Sequence, residues 1–173
     1  AAARGGGALF GNLRGCIVNG NVLWSPPSMP GIAVDGSGLE ACDSVESCTI
    51  TGNRSQTGTG RAVTGTYTMF VNSIIYDNGG GGNYDSSVTM SHCCTYPAID
   101  GEGNITNAPQ FVDAANGDFR LGPDSPCINA GINQVWMTGT EDLEGNPRIL
   151  NGVVDMGAYE RPSPERNVDI VLT

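Results

Sequence analysis

One short stretch concentrates carboxylates around a single cation. Residues 141–160, EDLEGNPRILNGVVDMGAYE, contain one arginine, Arg148, and these acids: Glu141, Asp142, Glu144, Asp155 and Glu160. Carboxylates gathered in this way can perform acid–base chemistry, bind a metal or form ion pairs. A guanidinium binds a carboxylate through two parallel hydrogen bonds, which fixes their geometry. We therefore expect a structural ion pair between Arg148 and Asp155, with Asp142 as the second choice of partner.

A candidate metal site lies in DAANGD. Asp113, Asn116 and Asp118 offer oxygen ligands around a glycine, which suits calcium better than a transition metal. The spacing does not match an EF-hand loop. The alternative is a turn in which these side chains satisfy one another's hydrogen bonds. We therefore expect no cofactor, and calcium is the one exception for which the sequence offers a candidate.

The single histidine, His92, stands directly before Cys93 and Cys94. This neighbourhood could form a zinc site or a Cys–His nucleophile pair. Zinc sites use spaced ligand pairs of the CxxC kind, which this chain lacks. The repeat described below instead assigns His92 and Cys94 to inward-facing columns, so we expect His92 to be a core residue.

Acidic side chains in the N-terminal half offer a glycosidase hypothesis. The candidates are Asp35, Glu40, Asp43 and Glu46. Retaining and inverting mechanisms need two carboxyl groups ~5–5.5 Å or ~6.5–9.5 Å apart. Adjacent strands ~4.8 Å apart would satisfy this in almost any acidic β-protein, so the signal is weak. A polysaccharide lyase is poorly supported because the chain has no lysine.

Aromatic side chains suggest a surface for sugars. The ligand-binding candidates are Trp24, Tyr67, Tyr76 and Tyr84, with Tyr96 as a further stacking residue. Tyrosines displayed sparsely on a flat β-face fit a glycan-binding groove. The alternative is that these rings pack under loops.

Composition limits the function classes. The chain has 26 glycines and a net charge of −10 over 173 residues, which fits one domain of short strands and tight turns. Nucleic-acid binding needs a basic stripe, and none is present. No apolar run is long enough for a membrane span. The opening AAARGGG leads us to expect a piece of a longer protein.

The six cysteines are an even number in an acidic chain, which favours an oxidising compartment. Disulfide candidates are Cys16, Cys42, Cys48, Cys93, Cys94 and Cys127. Six cysteines allow many complete pairings, and the sequence selects none. The alternative is that some are buried thiols.

A degenerate repeat sets the predicted architecture. Its copies are LRGCIVNGN (13–21), VESCTITGN (45–53), FVNSIIYDN (70–78) and the decayed TMSHCCTYP (89–97). Residues two apart in a strand share a face, so the pairs 16/18, 48/50 and 73/75 are predicted to point inward in one common row. The asparagines that end the first three copies, Asn21, Asn53 and Asn78, are predicted to stack in an amide ladder at one turn.

Stacked copies of this kind predict an all-β, right-handed parallel β-helix. The competing fold is an antiparallel sandwich or jelly roll, but few hairpin signals separate the strands. We expect β-helix coils over residues 1–98, a last coil and capping segment over 99–160, and a linker with a strand-like end over 161–173. Cys127 could tether the cap, which would fold over the last coil, to Cys93 or Cys94.

The C-terminal part resembles a known family. The motifs are FVDAANGDFRL, SPCINAG, DLEGNPR and VDMGAYE, together with NSIIYDN upstream. They are similar to the end of bacterial β-helix repeat proteins of the choice-of-anchor Q type. The double cysteine and the insertion containing Trp136 depart from that pattern. The resemblance implies a secreted or surface-attached protein and implies no reaction.

The leading functional prediction is therefore a non-enzymatic extracellular module that is adhesive, glycan-binding or structural. Its partners would be a glycan or surface, upstream coils, or identical subunits, with neither nucleic acid nor a membrane span. The alternatives are a carbohydrate-active enzyme working along the β-face, and a filament subunit joined through edge strands. In the tail, Val168, Ile170 and Leu172 share a face that could join such an edge.

Overall fold

The computed structural model of the protein describes residues 7–24, 37–56, 60–65 and 67–162. Within these ranges the regular secondary structure is β-strand, apart from short 3₁₀ turns. The prediction of an all-β protein is therefore confirmed. The predictions for Asp35 and for the strand-like end of the tail lie outside the described residues.

Most of the described strands pair in parallel. In chain order they are β1 (Ala8–Arg14), β2 (Ile17–Asn19), β3 (Val22–Leu23), β4 (Leu39–Glu46), β5 (Thr49–Thr51), β6 (Arg54–Ser55), β7 (Val63–Thr64), β8 (Met69–Val71), β9 (Ile74–Tyr76), β10 (Thr89–Ser91), β11 (Cys94–Thr95), β12 (Phe111–Asp113) and β13 (Asp118–Leu121). The first sheet has the order β1-β4-β8-β10, with β7 also paired to β4, and the second has the order β2-β5-β9-β11. A small third sheet pairs β3 with β6 in parallel, and β12 and β13 form an antiparallel hairpin.

The chain passes from the first sheet to the second through one residue with positive φ in each repeat. These corner residues are Gly15, Ser47, Asn72 and His92, with φ between 50° and 58°. A second corner follows the strands of the second sheet, at Gly20, Gly52 and Asp77. Left-handed backbone is least costly for glycine, asparagine and aspartate, so the Gly- and Asn-rich sequence suits two sharp corners per repeat.

The predicted inward row is a real feature of the core. Val18, Ile50 and Ile75 are directly paired across β2, β5 and β9, and all three lie in one buried cluster with Cys48. Ser73 is also completely buried. Cys16 is half-buried and packs against the same cluster.

The fourth repeat is shifted by one residue from its predicted register. Thr95, not Cys94, pairs with Ile75. The backbone N–H of Ser73 points to the sulfur of Cys93 at 3.5 Å, so Cys93, not His92, continues the inward column. His92 occupies the left-handed corner instead and is half-buried. The prediction that His92 and Cys94 occupy the inward columns is therefore wrong.

The asparagine ladder is confirmed. The side-chain amide of Asn21 donates to Oδ1 of Asn53 at 2.8 Å, and that of Asn53 donates to Oδ1 of Asn78 at 3.0 Å. The ladder continues to Asn83 at 2.9 Å, which the repeat had not indicated. Asn21, Asn53 and Asn78 each directly follow a residue of the second corner, so the ladder begins just after that left-handed turn.

The C-terminal segment, which we define as residues 108–160, lies along the outer face of the second sheet. Ile74 and Cys94 point away from the inward row and pack against Leu121, Cys127 and Met156. The SPCINAG motif contacts β11 from this face, because Cys127 packs against Cys94. The outer edge of β11 is met by an earlier stretch, because Cys94 forms a parallel bridge with Ile105.

Polar contacts fix the C-terminal segment to successive corners and strands of the second sheet. The amide of Asn72 exchanges hydrogen bonds with the backbone of Ile132 at 2.7 and 2.9 Å. The N–H of Ala158 donates to Oγ1 of Thr49 at 3.1 Å. A Cβ at Gly131 would lie 2.8 Å from Oδ1 of Asn72 and 2.9 Å from the backbone oxygen of Val154, so this close packing requires glycine there.

Candidate functional site

The acidic stretch of the C-terminal segment forms a buried ion pair, but with a different partner from the one predicted. Arg148 is only 1% exposed, and its Nη2 lies 3.2 Å from Oε1 of the buried Glu160. The same nitrogen donates to the carbonyl of Gly157 at 3.2 Å. The sequence favoured Asp155 and then Asp142 as partners, and both choices are wrong.

Asp155 and Asp142 serve the backbone instead. The carboxylate of Asp155 accepts the N–H groups of Asn129 at 2.6 Å and of Arg161 at 2.7 Å. The carboxylate of Asp142 accepts the N–H of Glu160 at 2.8 Å, as well as those of two nearby turn residues. Each acid thus ties one loop of the segment to another, which is a structural role.

Burial sets the protonation of this cluster. Burial raises the pKa of Glu160 to about 8, against the attraction of Arg148. Burial also raises the pKa of Asp155. Burial opposes ionisation of Asp142 too, but the backbone N–H of Glu160 and the amide of Asn146 outweigh it and lower its pKa. Both Nε and Nη1 of Arg148 are buried without a hydrogen-bond partner among the described atoms.

A cleft of about 310 Å³ borders this cluster. Its lining residues are Val112, Arg120, Leu121, Glu144, Glu160, Arg161 and Pro162. The two arginines that line the cleft already have partners. Arg120 contacts Glu144 at 3.5 Å, and Arg161 donates to the carbonyl of Leu121 at 2.6 Å. The cleft therefore presents no unengaged guanidinium to an anion.

The candidate calcium ligands form hydrogen bonds with one another and with an arginine. Asp113 and Asp118 face each other across the β12–β13 hairpin. The side-chain amide of Asn116 donates to Asp113 at 2.6 Å, and Arg120 donates to Asp118 at 2.8 Å. These contacts match the alternative of a self-satisfied turn. Within the described ranges, no group of three or more His, Cys, Asp and Glu side chains is placed to hold a metal.

His92 is a packing residue beneath a glycine. A Cβ at Gly103 would lie 2.5 Å from the imidazole, so the chain passes directly over the ring. Cys93 and Cys94 belong to two different buried clusters on opposite sides of the second sheet. The three side chains therefore do not converge on a common zinc or nucleophile site.

All six cysteines are described, and none forms a disulfide. The predicted set of structural disulfides is thus absent from the structure, although two pairs are in contact. Cys16 interacts with Cys48, and Cys94 with Cys127, which is one of the two tethers considered from the sequence. The Cys94 contact joins the second sheet to the C-terminal segment.

The candidate aromatic residues do not share one environment. Tyr67 is 85% exposed just before β8, and Trp24 is 54% exposed just after β3. The hydroxyl of Tyr76 donates to the carbonyl of Thr106 at 3.2 Å, and that of Tyr84 donates to the carbonyl of Pro97 at 2.9 Å. Tyr76 and Tyr84 therefore anchor loops, as the packing alternative predicted.

The described glycosidase candidates all lie on β4. Glu40 and Glu46 are six residues apart in this strand, which corresponds to roughly 20 Å at ~3.3 Å per residue. Retaining and inverting pairs require less than ~10 Å. Glu46 is also ion-paired with Arg14 at 3.1 Å. Glu40 and Glu46 therefore do not form a glycosidase pair with each other.

A polar outer face on the first sheet was not indicated by the sequence. Four residues of one outward column are directly paired across the strands: Asn12, Ser44, Met69 and Thr89. Asn12 accepts hydrogen bonds from the backbone and hydroxyl of Ser44 at 3.2 and 3.1 Å. Met69 is 55% exposed, and Thr89 is exposed. The register across four strands, rather than any single repeat, creates this face.

No family model, curated protein or solved structure matches the chain. Among the described residues, no helix has the length and apolar character needed to cross a membrane. The site must therefore be interpreted from its own geometry.

Proposed function

We propose that this chain is part of a secreted or cell-surface right-handed parallel β-helix of the choice-of-anchor Q type. Several observations support this proposal: the two parallel sheets, one left-handed corner between them in each repeat, and the asparagine ladder. Each repeat would then be one coil that buries its inward row against the next.

We further propose that the module binds a glycan on the outer face of the first sheet. The observation that carries this proposal is the contrast between the two sheets. The C-terminal segment packs on the outer face of the second sheet, whereas the column of Asn12, Ser44, Met69 and Thr89 is largely solvent-accessible. Polar groups at the ~4.8 Å strand spacing offer regularly repeated hydrogen-bond partners to an extended sugar chain.

Tyr67 supplies the aromatic element of this surface. It precedes the exposed Met69 by two residues and is itself 85% exposed, whereas the intervening Thr68 is buried and donates to the carbonyl of Cys42 at 2.6 Å. An exposed tyrosine ring combines an apolar face for stacking with a polar tip. The net charge of −10 favours neutral over acidic polysaccharides.

The test is binding of the purified chain to a panel of neutral and acidic polysaccharides by affinity electrophoresis or isothermal titration. We expect retention by at least one neutral polysaccharide. Tyr67→Ala should weaken that binding about tenfold, which corresponds to ~1.4 kcal/mol. Thr89→Arg should obstruct the same face without disturbing the core, because Thr89 is exposed.

Leu143→Ala is the matched control. Leu143 is 53% exposed and lies in a turn of the C-terminal segment, outside the strands of the first sheet. It should leave binding unchanged. Absence of binding to every polysaccharide, or equal weakening by Leu143→Ala and Tyr67→Ala, would contradict the assignment of this face.

A further inference from the structure

Two cysteines occupy consecutive positions in the inward column at the first corner of the repeat. The backbone N–H of Cys16 points to the sulfur of Cys48 at 3.4 Å, and that of Cys48 points to the hydroxyl of Ser73 at 3.2 Å. Among the described residues, Cys16 is the first member of this column. It is half-buried, whereas Cys48 is completely buried.

The strand register places these two thiols at a distance that suits a disulfide. Ile17 and Thr49, the residues that follow them, are directly paired in parallel. Neighbouring strands lie ~4.8 Å apart, and disulfides join Cα atoms ~4.4–6.8 Å apart. The separation of the two strands is therefore within the range that a disulfide spans.

We propose that Cys16 and Cys48 form a redox-active dithiol that reacts with small-molecule disulfides. The Cys16 thiolate attacks one sulfur of the disulfide, forms a mixed disulfide and releases one thiolate. Cys48 then loses its proton and attacks the sulfur of Cys16. This attack releases the second thiolate, which takes up that proton. The two cysteines lose two electrons in total, and the small disulfide is reduced to two thiols.

The surroundings of the pair separate the roles of its members. A hydrogen bond from Cys48 lowers the pKa of Cys16 to about 6, while its contact with Cys16 and burial raise the pKa of Cys48. The charged groups near the pair are Arg14, its ion-pair partner Glu46, and Arg148, which acts on Cys48. Cys16 is thus the group that ionises near neutral pH, and Cys48 keeps its proton until the second step.

The other four cysteines are enclosed. Cys42, Cys93, Cys94 and Cys127 are all 2% exposed or less. Cys94 and Cys127 contact each other, but neither offers a surface sulfur for the first attack. In the folded chain, reaction with an external disulfide should therefore begin at Cys16.

The probe is 2,2′-dithiodipyridine, an uncharged disulfide whose released thione is followed by absorbance. We expect the folded wild-type chain to release one thione quickly and a second as Cys48 resolves the adduct. Intact-mass analysis should then show a chain that has lost two hydrogens and retains no pyridyl group. Peptide mapping should find the bond between Cys16 and Cys48.

Serine variants distinguish the two roles. Ser73 occupies the same column, which shows that a hydroxyl fits there, so Cys16→Ser and Cys48→Ser should fold. Cys16→Ser should abolish the fast release. Cys48→Ser should give one thione and a stable pyridyl adduct on Cys16. Cys42→Ser is the control and should behave like the wild type.

The pH dependence supplies a second readout. The fast rate, divided by that of glutathione under the same conditions, should rise as pH falls from about 9 towards 6 and should level off below about pH 6. A thiol with a pKa near 8.5 is only a few per cent ionised at pH 7, whereas the Cys16 thiol, with a pKa of about 6, is still mostly ionised there. The proposal is wrong if the folded wild type releases no thione, if the pyridyl adduct persists on it, or if folded Cys16→Ser still releases both thiones. Circular dichroism of each variant confirms that these comparisons concern folded chains.

Discussion

Replacement of Asn53 tests the asparagine ladder at its most enclosed point. Asn53 is completely buried, and its side chain takes part in five hydrogen bonds. Its amide donates to the carbonyls of Val18 and Thr51 and to Oδ1 of Asn78, while its oxygen accepts from the backbone and side chain of Asn21. One side chain thus joins three successive turns of the chain.

The expected loss follows from these contacts. A neutral hydrogen bond contributes ~1 kcal/mol net, and a buried group left without a partner costs ~1–3 kcal/mol. Asn21 is half-buried and can recover some bonding from water. We therefore expect Asn53→Ala to lower the free energy of unfolding by ~3–4 kcal/mol, a large part of the ~5–15 kcal/mol of an ordinary domain.

Asn53→Asp gives a sharper test because it keeps the shape but removes the donor. At pH 7 the carboxylate would face the oxygens of Val18, Thr51 and Asn78 and should destabilise the chain more than alanine does. Burial and the facing oxygens raise the pKa of such an aspartate above its unfolded value of ~3.9, and protonation restores one donor. The loss should therefore shrink as pH falls from 7 towards ~4. Asn21→Ala, at the half-buried end of the ladder, is the matched control and should cost ~1 kcal/mol.

The measurement is urea denaturation followed by circular dichroism. The wild type and both Asn53 variants are compared at pH 7 and at acidic pH. A loss below ~1 kcal/mol for Asn53→Ala, or equal effects at Asn21 and Asn53, would refute the reasoning from burial. Equal slopes against urea are required for the comparison, since a changed slope means a changed unfolded or native state.

Three further predictions address the C-terminal segment. Ile74→Ala should cost ~2–5 kcal/mol in urea denaturation because it opens a cavity beneath the segment, whereas Met69→Ala on the exposed face should stay within ~0.5 kcal/mol. The folded pKa of Glu160, about 8, exceeds its unfolded value of ~4.3, so stability should fall as pH rises through this interval, by at most ~1.4 kcal/mol per pH unit. Glu160→Gln should remove that decline, and an unchanged slope would contradict the assignment. Trp136→Ala should cost ~0.5–1 kcal/mol, because Arg14 lies 5.0 Å from its ring centroid, and a double-mutant cycle with Arg14→Ala should recover that coupling.

Strand alternation predicts the register of the first three repeats correctly from the sequence, but not that of the fourth. Val18, Ile50 and Ile75 stand two residues after a cysteine or serine, so one register satisfies all three copies. In HCC, a cysteine stands in either of two registers, Cys93 or Cys94, and composition cannot choose between them. His92 decides the register by taking the left-handed corner, and a backbone dihedral of that kind is not encoded by residue type alone.

The partner of Arg148 depends on tertiary placement in the same way. Several carboxylates lie within a short stretch of sequence, and nothing in their spacing ranks them. Asp155 does not pair with Arg148, because its carboxylate accepts the N–H groups of Asn129 and Arg161. Only the folded path of the segment brings those two amides together, which leaves Glu160 beside the guanidinium.

Doubled apolar residues in the sequence do indicate that the outer face of the second sheet is covered. Adjacent Ile74 and Ile75, like Cys93 and Cys94, break the alternation expected of a strand with one wet side. Consecutive apolar residues are typical of strands that are buried on both faces. The doubled residues therefore indicate a cover on this sheet, and the C-terminal segment provides it.

The same contrast separates stability from binding. The outward positions of the second sheet are apolar at Ile74 and Cys94, so exposure would be costly and the C-terminal segment packs there. The outward column of the first sheet, from Asn12 to Thr89, is mostly polar, and exposure of such groups to water carries no comparable cost. Substitutions at Ile74 should therefore reduce stability before they affect any ligand. Substitutions at Tyr67 or Thr89 should leave the unfolding transition unchanged and weaken polysaccharide binding alone. If substitutions at Ile74 and at Tyr67 weaken binding of a glycan equally, that glycan binds elsewhere.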